Sequence, residues 1–335
     1  MRRIKYNSIT ALLFLFTAVF SFTMEPQLKK EADAVIGMLI NCEFSRAMNS
    51  TDSLRAIDST EPLYPFLHLC ALGLRDLDFD RIVDTVAFLQ YYKLTISTIE
   101  GYEALHGRDS YSMTLLGFTY ATHSSFYLMH KKYFSAIGTG LDAVKIFNDI
   151  KEIDSTNYDA QFFLGFYNYA KGELKKRLWM VLFWFPGSKK DGIRTLEACT
   201  NHNQLTAEVA KMSLVDVYIQ EEEYEKSRKL YTRLRKKYPR SRFLFWSNAR
   251  YYEAVKDYKK AADAYDKLAM SYESNELGEY NALVTRLKQI EFLDKAGLTD
   301  TAADVAEKVL KKEYVCNKEE HYRKICRDIR RYCRD

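Results

Sequence analysis

Cys316, His321 and Cys326 form the one stretch of this chain in which neighbouring residues could supply metal or thiol chemistry. They stand five residues apart, a spacing that does not set ligands on one helix face as i, i+4 does. A disulfide or reduced thiols suit them better than a metal, with Cys333 as a third candidate for pairing. Cys42, Cys70 and Cys199 lie in apolar helical contexts, where a buried thiol is the usual state. The six histidines (His68, His106, His123, His130, His202 and His321) contain no His-Glu-x-x-His pair or comparable spacing. There is no Gly-x-Ser-x-Gly elbow, Walker loop or glycine-rich dinucleotide turn. Nothing in the sequence supports catalysis, a metal or a cofactor, and the expectation is a protein that is not an enzyme.

The remaining chemistry is adhesion. The chain has 25 Tyr and 20 Phe but only 13 Gly and 5 Pro in 335 residues. It can bury a large core, and scarce breakers favour long helices. The net charge of +5 does not announce nucleic acid.

A fixed period organises these residues. The segment from Glu223 to Leu234 superimposes on Asp257 to Leu268 at an offset of 34. Tyr224 meets Tyr258, Ser227 meets Ala261, Tyr231 meets Tyr265, and upstream Tyr218 meets Tyr252. Small residues at Ser227, Ala249 and Ala261 let antiparallel helices approach, and Pro239 ends a second helix. Such units bury their apolar faces only by stacking. Leu116-Gly117 with Tyr120, and Leu164-Gly165 with Tyr169, look like first helices of earlier units. Ala302-Ala303 through Val309 repeats Ala261 through Leu268 at an offset of 41.

A helix-turn-helix period with these residue types resembles the tetratricopeptide repeat. The expected fold is all-α, a tetratricopeptide-like α-solenoid of about six or seven helical hairpins with a C-terminal capping helix. The repeat domain spans 24–312, with an apolar insert at 173–188, and the capping helix occupies 313–335. The order Leu164-Gly165-Phe166-Tyr167-Asn168-Tyr169, insert, Lys189-Lys190-Asp191-Gly192-Ile193, Leu196-Glu197 resembles a bacterial family of exported tetratricopeptide-repeat proteins of unknown role. More distantly it is similar to the eukaryotic tetratricopeptide repeat domain 39 and inclusion-body-clearance family. The likeness covers roughly residues 60 to 200. It departs from the family's pattern at Gly187-Ser188-Lys189-Lys190-Asp191, where an acidic-basic pair usually precedes the Gly. It implies a binding or scaffold role and brings no catalytic residues.

Stacked repeats of this type turn their first helices to a concave face. With units starting at Ser110, Tyr158, Glu208 and Arg242, that face receives Tyr111, Thr114 and Phe118 from the first. Phe162, Phe166 and Tyr169 come from the second, Met212 and Asp216 from the third, and Phe243, Trp246 and Arg250 from the fourth. Aromatics, Met and Arg are the types that anchor partners, so the stripe reads as a groove for an extended peptide or apolar helix. Asp216 and Arg250 would set its polarity. The alternative is that the stripe is core, since aromatic residues at helical spacing commonly are.

Three further features carry expectations. Leu178 to Phe185 is an unbroken apolar run between Lys175-Lys176-Arg177 and Lys189-Lys190. Trp179, Phe183, Trp184 and Phe185 would suit a membrane interface or a partner, or a buried insert. Lys226 to Arg242 holds nine Lys or Arg and no acid, which reads as a solvated face beside Glu221-Glu222-Glu223. At the N-terminus, Arg2, Arg3 and Lys5 precede an apolar stretch from Ile9 to Phe22, which reads as a secretory signal peptide over 1–23. The protein is therefore expected in the periplasm or cell envelope, as an adaptor for a protein or peptide and not for nucleic acid. The rival is a membrane-associated structural protein, held by the insert or by an uncleaved N-terminus.

Overall fold

The structure, a computed structural model, describes residues 25–177, 188–201, 206–311 and 320–334. Fifteen α-helices account for almost all of them, and the described residues contain no strand. In chain order they are α1 (Pro26–Ile40), α2 (Phe44–Ile57), α3 (Leu63–Asp78), α4 (Thr85–His106) and α5 (Ser110–Met129). Then come α6 (Tyr133–Ile153), α7 (Tyr158–Arg177), α8 (Lys189–Cys199), α9 (Thr206–Gln220) and α10 (Tyr224–Lys237). The last are α11 (Arg242–Ala254), α12 (Tyr258–Glu273), α13 (Glu279–Lys295), α14 (Thr299–Leu310) and α15 (Glu320–Arg330). The predicted signal peptide, the Leu178–Phe185 run and Cys316 lie outside the described residues.

One turn recurs five times. Cys42, Lys131, Glu222, Lys256 and Gly297 all have positive φ, between 59° and 76°. Each stands two residues before the second helix of a hairpin, α2, α6, α10, α12 or α14. In each case the next residue's N–H reaches back five residues, as from Glu223 to the Tyr218 carbonyl at 2.8 Å and Asp257 to the Tyr252 carbonyl at 3.0 Å. The left-handed residue's own N–H reaches back three, as from Glu222 to Ile219 at 3.2 Å and Lys256 to Glu253 at 3.1 Å. This pair of bonds is the Schellman closure of a helix C-terminus, and it satisfies carbonyls that the helix leaves unpaired. It reverses the chain in a single step, so the next helix runs back antiparallel. Only Gly297 adopts the left-handed conformation without a steric penalty; the other four positions carry side chains there.

The described residues form two compact units. The first comprises the chain up to Leu77 together with Arg81–Val217; the second comprises Asp78–Asp80 and Tyr218 onward. In the first, Leu69, Leu72, Phe88 and Phe126 form an apolar cluster, with Met48, Tyr91, Tyr92 and Tyr127 packed against it. In the second, Ala249, Ala261, Leu268 and Ile290 are fully buried beside Tyr265 and Tyr272. The repeat's small residues therefore lie where helices meet, as their type requires. The C-terminal helix α15 docks Tyr322, Cys326 and Ile329 as buried residues.

α7 and α8 approach closely at glycines, and Ser188 caps α8 by accepting from the Asp191 N–H at 3.2 Å. A methyl group at Gly192 would stand 2.7 Å from the Gly165 carbonyl oxygen and 2.7 Å from the Tyr169 nitrogen. Both obstacles are main chain, so no side-chain rotation relieves them. Gly192→Val is expected to force the two helices apart and cost about 1–3 kcal/mol, read as a lower thermal midpoint. A midpoint equal to the parent's would show that the hairpin is looser than this geometry.

Candidate interaction surfaces

The predicted groove residues fall on the first helices of hairpins, and each unit places them differently. In the first unit α5 carries Phe118, α7 carries Phe162, Phe166 and Tyr169, and α9 carries Met212 and Asp216. All six are buried, none more than 8% exposed. The Phe118 ring lies 4.5 Å from Phe147 and 6.1 Å from Phe163, and Phe147 stacks on Phe163 at 4.4 Å. Upstream on α5, Tyr111 donates its hydroxyl to Glu61, and Thr114 donates to the Ser110 carbonyl at 2.6 Å. In this conformation the aromatic stripe of the first unit meets itself and not solvent.

In the second unit, α11 presents Phe243, Trp246 and Arg250. Phe243 is buried, whereas Trp246 and Arg250 are half-buried. The Trp246 indole N–H donates to the Tyr272 hydroxyl at 3.0 Å, and its ring meets Tyr265 edge-on at 5.9 Å. Arg250 donates to the Ser247 hydroxyl at 3.4 Å. Trp246 and Arg250, one helical turn apart and each held by its neighbours, are of the residue types enriched among the anchors of interfaces.

Beneath Trp246 lies a polar network that the sequence did not announce. Arg242 donates through Nε and Nη2 to Asp78 Oδ2 at 2.8 Å and 2.5 Å. Tyr272 donates to the Asp78 carbonyl at 3.0 Å or Oδ1 at 3.1 Å, and Asn281 donates to the same carbonyl at 3.1 Å. The Arg242 guanidinium also stands over the Phe79 and Tyr272 rings at 5.1 Å and 5.3 Å. Burial pushes the Asp78 carboxyl above the ordinary carboxylate range, and Arg242 opposes that shift. Tyr272 thus joins the Asp78–Arg242 pair to the Trp246 indole.

Two arginines of the basic run on α10 are engaged locally. Arg228 stands over Tyr231, Tyr251 and Tyr252 at 5.3–5.6 Å and donates to Asn248 at 3.1 Å. Arg235 stands over Phe245 at 4.2 Å and donates to the Tyr238 carbonyl at 3.3 Å and to that of Pro239. Lys226 pairs with Glu223. Aromatic and main-chain partners thus hold Arg228 and Arg235, while Lys229, Arg233, Lys236, Lys237 and Arg240 are exposed, as the solvated-face reading expects.

Cys326 is disulfide-bonded, whereas Cys333 is not. Burial pushes the Cys199 thiol up to about 12 and the Cys70 thiol higher still, which leaves both protonated and unreactive. Among the described residues no group of three His, Cys, Asp or Glu is placed to hold a metal. Among them, too, no helix is long and apolar enough to cross a membrane. Trp179, Phe183, Trp184 and Phe185 lie outside the described residues.

No family model and no curated protein matches the chain. Among solved structures it is similar to the apo form of RapI, at 14% identity and TM-score 0.41, over 89% of this chain and 80% of RapI. It is also similar to yeast Tom70, at 10% identity and TM-score 0.36, over 97% of this chain and 69% of Tom70. Likenesses this weak say nothing of what the chain binds. Its tetratricopeptide character rests on its own geometry: antiparallel helical hairpins, one turn motif used five times, and helices α10 and α12 that begin 34 residues apart at Tyr224 and Tyr258.

Proposed function

We propose that the protein is an exported, non-catalytic scaffold that captures a protein or peptide on the first-helix faces of its hairpins. The observation that carries this reading is the half-buried pair Trp246 and Arg250 on α11. Both belong to residue types that dominate binding energy at interfaces. Both are already oriented by Tyr272 and Ser247, so little ordering entropy remains to be lost on binding. The aromatic stripe of the first unit is buried and joins a partner surface only if its hairpins part. Export is supported by the basic-apolar N-terminus and by the Cys326 disulfide, since such bonds persist in oxidising compartments.

The test is a crosslinked capture from the cell-envelope fraction with the protein as bait. Arg250→Glu is expected to reduce recovery of the partner at least tenfold while the protein stays folded at the capture temperature, read by circular dichroism. Trp246→Ala is expected to lose the partner as well, but with a lower melting point, since it strips a donor from Tyr272. A partner recovered equally by the parent and by Arg250→Glu would place binding elsewhere. A bait that sediments with membranes and captures nothing would favour the membrane-associated reading.

A further inference from the structure

Three residues of the second unit come from far away in the chain. Asp78, Phe79 and Asp80 belong to it, although the chain on both sides of them belongs to the first unit, and the rest of the second unit begins only at Tyr218. Within the second unit this short segment is held as a bound peptide would be, by side chains of α11, α12 and α13. Arg242 donates to the Asp78 carboxylate, and Tyr272 and Asn281 donate to its main-chain carbonyl. The Phe79 ring is 2% exposed, meets Tyr272 edge-on at 6.1 Å and lies beneath the Arg242 guanidinium. The carboxylate, the carbonyl and the ring are thus each met by groups suited to them.

Asn281 gives a second, independent indication. It is buried, and its Oδ1 has no hydrogen-bond partner among the described residues. Its Nδ2 donates to the Asp78 carbonyl, so only the donor half of the side-chain amide is used there. Asp78 is the last residue of α3, and helix geometry commits its N–H to the preceding turn. A residue in extended backbone has no such commitment and presents its N–H and its carbonyl to the same side. An extended peptide in the place of Asp78 and Phe79 therefore gives Asn281 both bonds, and a buried acceptor left without its bond is costly. Asp80, which leads the segment out, has a φ of 47°, a left-handed conformation that an extended ligand does not need.

We propose that the second unit is a recognition site for an acidic–aromatic dipeptide in extended conformation, Asp-Phe in its simplest form, and that Asp78 and Phe79 are its resident occupants. The partner is a peptide segment carrying this pair, and it binds by replacing the resident. Arg242 selects the carboxylate, the slot beside Tyr272 selects the ring, and Asn281 selects extended main chain. The resident is tethered, so it competes at an effective concentration on the order of millimolar. The apparent affinity for an outside peptide falls by the fraction of chains in which the site stands open, and loosening the resident exposes the site. This goes beyond the scaffold function proposed above, which turns on Trp246 and Arg250. Capture that needs Arg250 and peptide binding that needs Arg242 can each fail without the other.

Fluorescence anisotropy of a labelled, end-blocked peptide containing Leu-Asp-Phe-Asp, titrated with the full chain, tests this. Asp78→Asn keeps the segment's shape and its main-chain bonds but removes the charge that Arg242 holds. It is expected to bind the peptide at least tenfold more tightly than the parent. Putting Asn for Asp ahead of the Phe in the peptide, or adding Arg242→Met to the Asp78→Asn chain, is expected to abolish that gain. Circular dichroism checks that each chain is folded. A folded Asp78→Asn chain that binds no better than the parent overturns the proposal, as does equal binding of the Asn peptide. Hydrogen exchange of the parent decides the matter if the variants do not fold. Millimolar Asp peptide is expected to speed exchange over Asp78–Asp80, and the Asn peptide is not. Exchange there that the Asp peptide leaves unchanged overturns the proposal.

Discussion

Arg242→Ala is expected to destabilise the second unit by about 3–5 kcal/mol, the usual cost of leaving one half of a buried ion pair alone. Asp78 is 4% exposed and Arg242 8%, so neither charge has enough water to fall back on. Without Arg242, both bonds to Oδ2 vanish and only the Tyr272 donor remains near the carboxylate. The carboxyl must then take up a proton or admit water, and either outcome loosens α11 against α12. The Asp78 carbonyl keeps its donors, Tyr272 and Asn281, because those bonds belong to the main chain. Asp78→Leu with Arg242→Met is therefore expected to cost less than Arg242→Ala alone, since the pair's desolvation penalty disappears with the pair. Urea unfolding measures the loss, and hydrogen exchange places it on α11 through α13. A cost below about 1 kcal/mol for Arg242→Ala would mean that water already reaches the pair.

This network shows where sequence reading ends. The period is local: Tyr224 and Tyr258 both open second helices, and Pro239 follows the end of α10 as a helix breaker should. The Gly165–Gly192 approach was not read from the sequence, where both glycines entered only as part of a resemblance. Asp78 and Arg242 lie 164 positions apart, and no period links them. Arg242 read instead as one more member of a basic run. The turns were hidden for a different reason. Four of the five left-handed positions are Cys42, Lys131, Glu222 and Lys256, where glycine would have been the signal. The aromatic stripe was found but its exposure was not. Phe118 and Phe166 on one side and Trp246 on the other have the same type and spacing, and only packing distinguishes a fully buried ring from a half-buried one.

The second large effect is on acid stability and comes from His123. Its ring lies 4.0 Å from Tyr92 and 4.3 Å from Tyr127, with Phe88 and Phe126 about two ångströms farther out. Its Nε2 has no hydrogen-bond partner among the described residues. Burial holds the imidazole down at about 4, against 6.5 for an unburied one. Between these values the unfolded chain binds a proton that the folded chain refuses, so stability increases with pH there. The contribution is fully present above about pH 6.5, is lost as pH falls toward 4, and totals about 3 kcal/mol. His68 acts with the same sign: burial against the stacked Tyr91 ring lowers it to about 4. Asp76 acts with the opposite sign, because burial raises it to about 6 and its protonation favours the folded chain. The parent's acid curve alone therefore does not isolate His123, and a comparison does. His123→Phe keeps an aromatic ring in an aromatic cage, so at pH 7.5 its unfolding free energy in urea should lie within about 1 kcal/mol of the parent's. At pH 5 it should be the more stable by about 2 kcal/mol, since Phe has no proton to gain. Parallel pH curves for the two proteins would show that His123 is hydrated and titrates as it does in the unfolded chain.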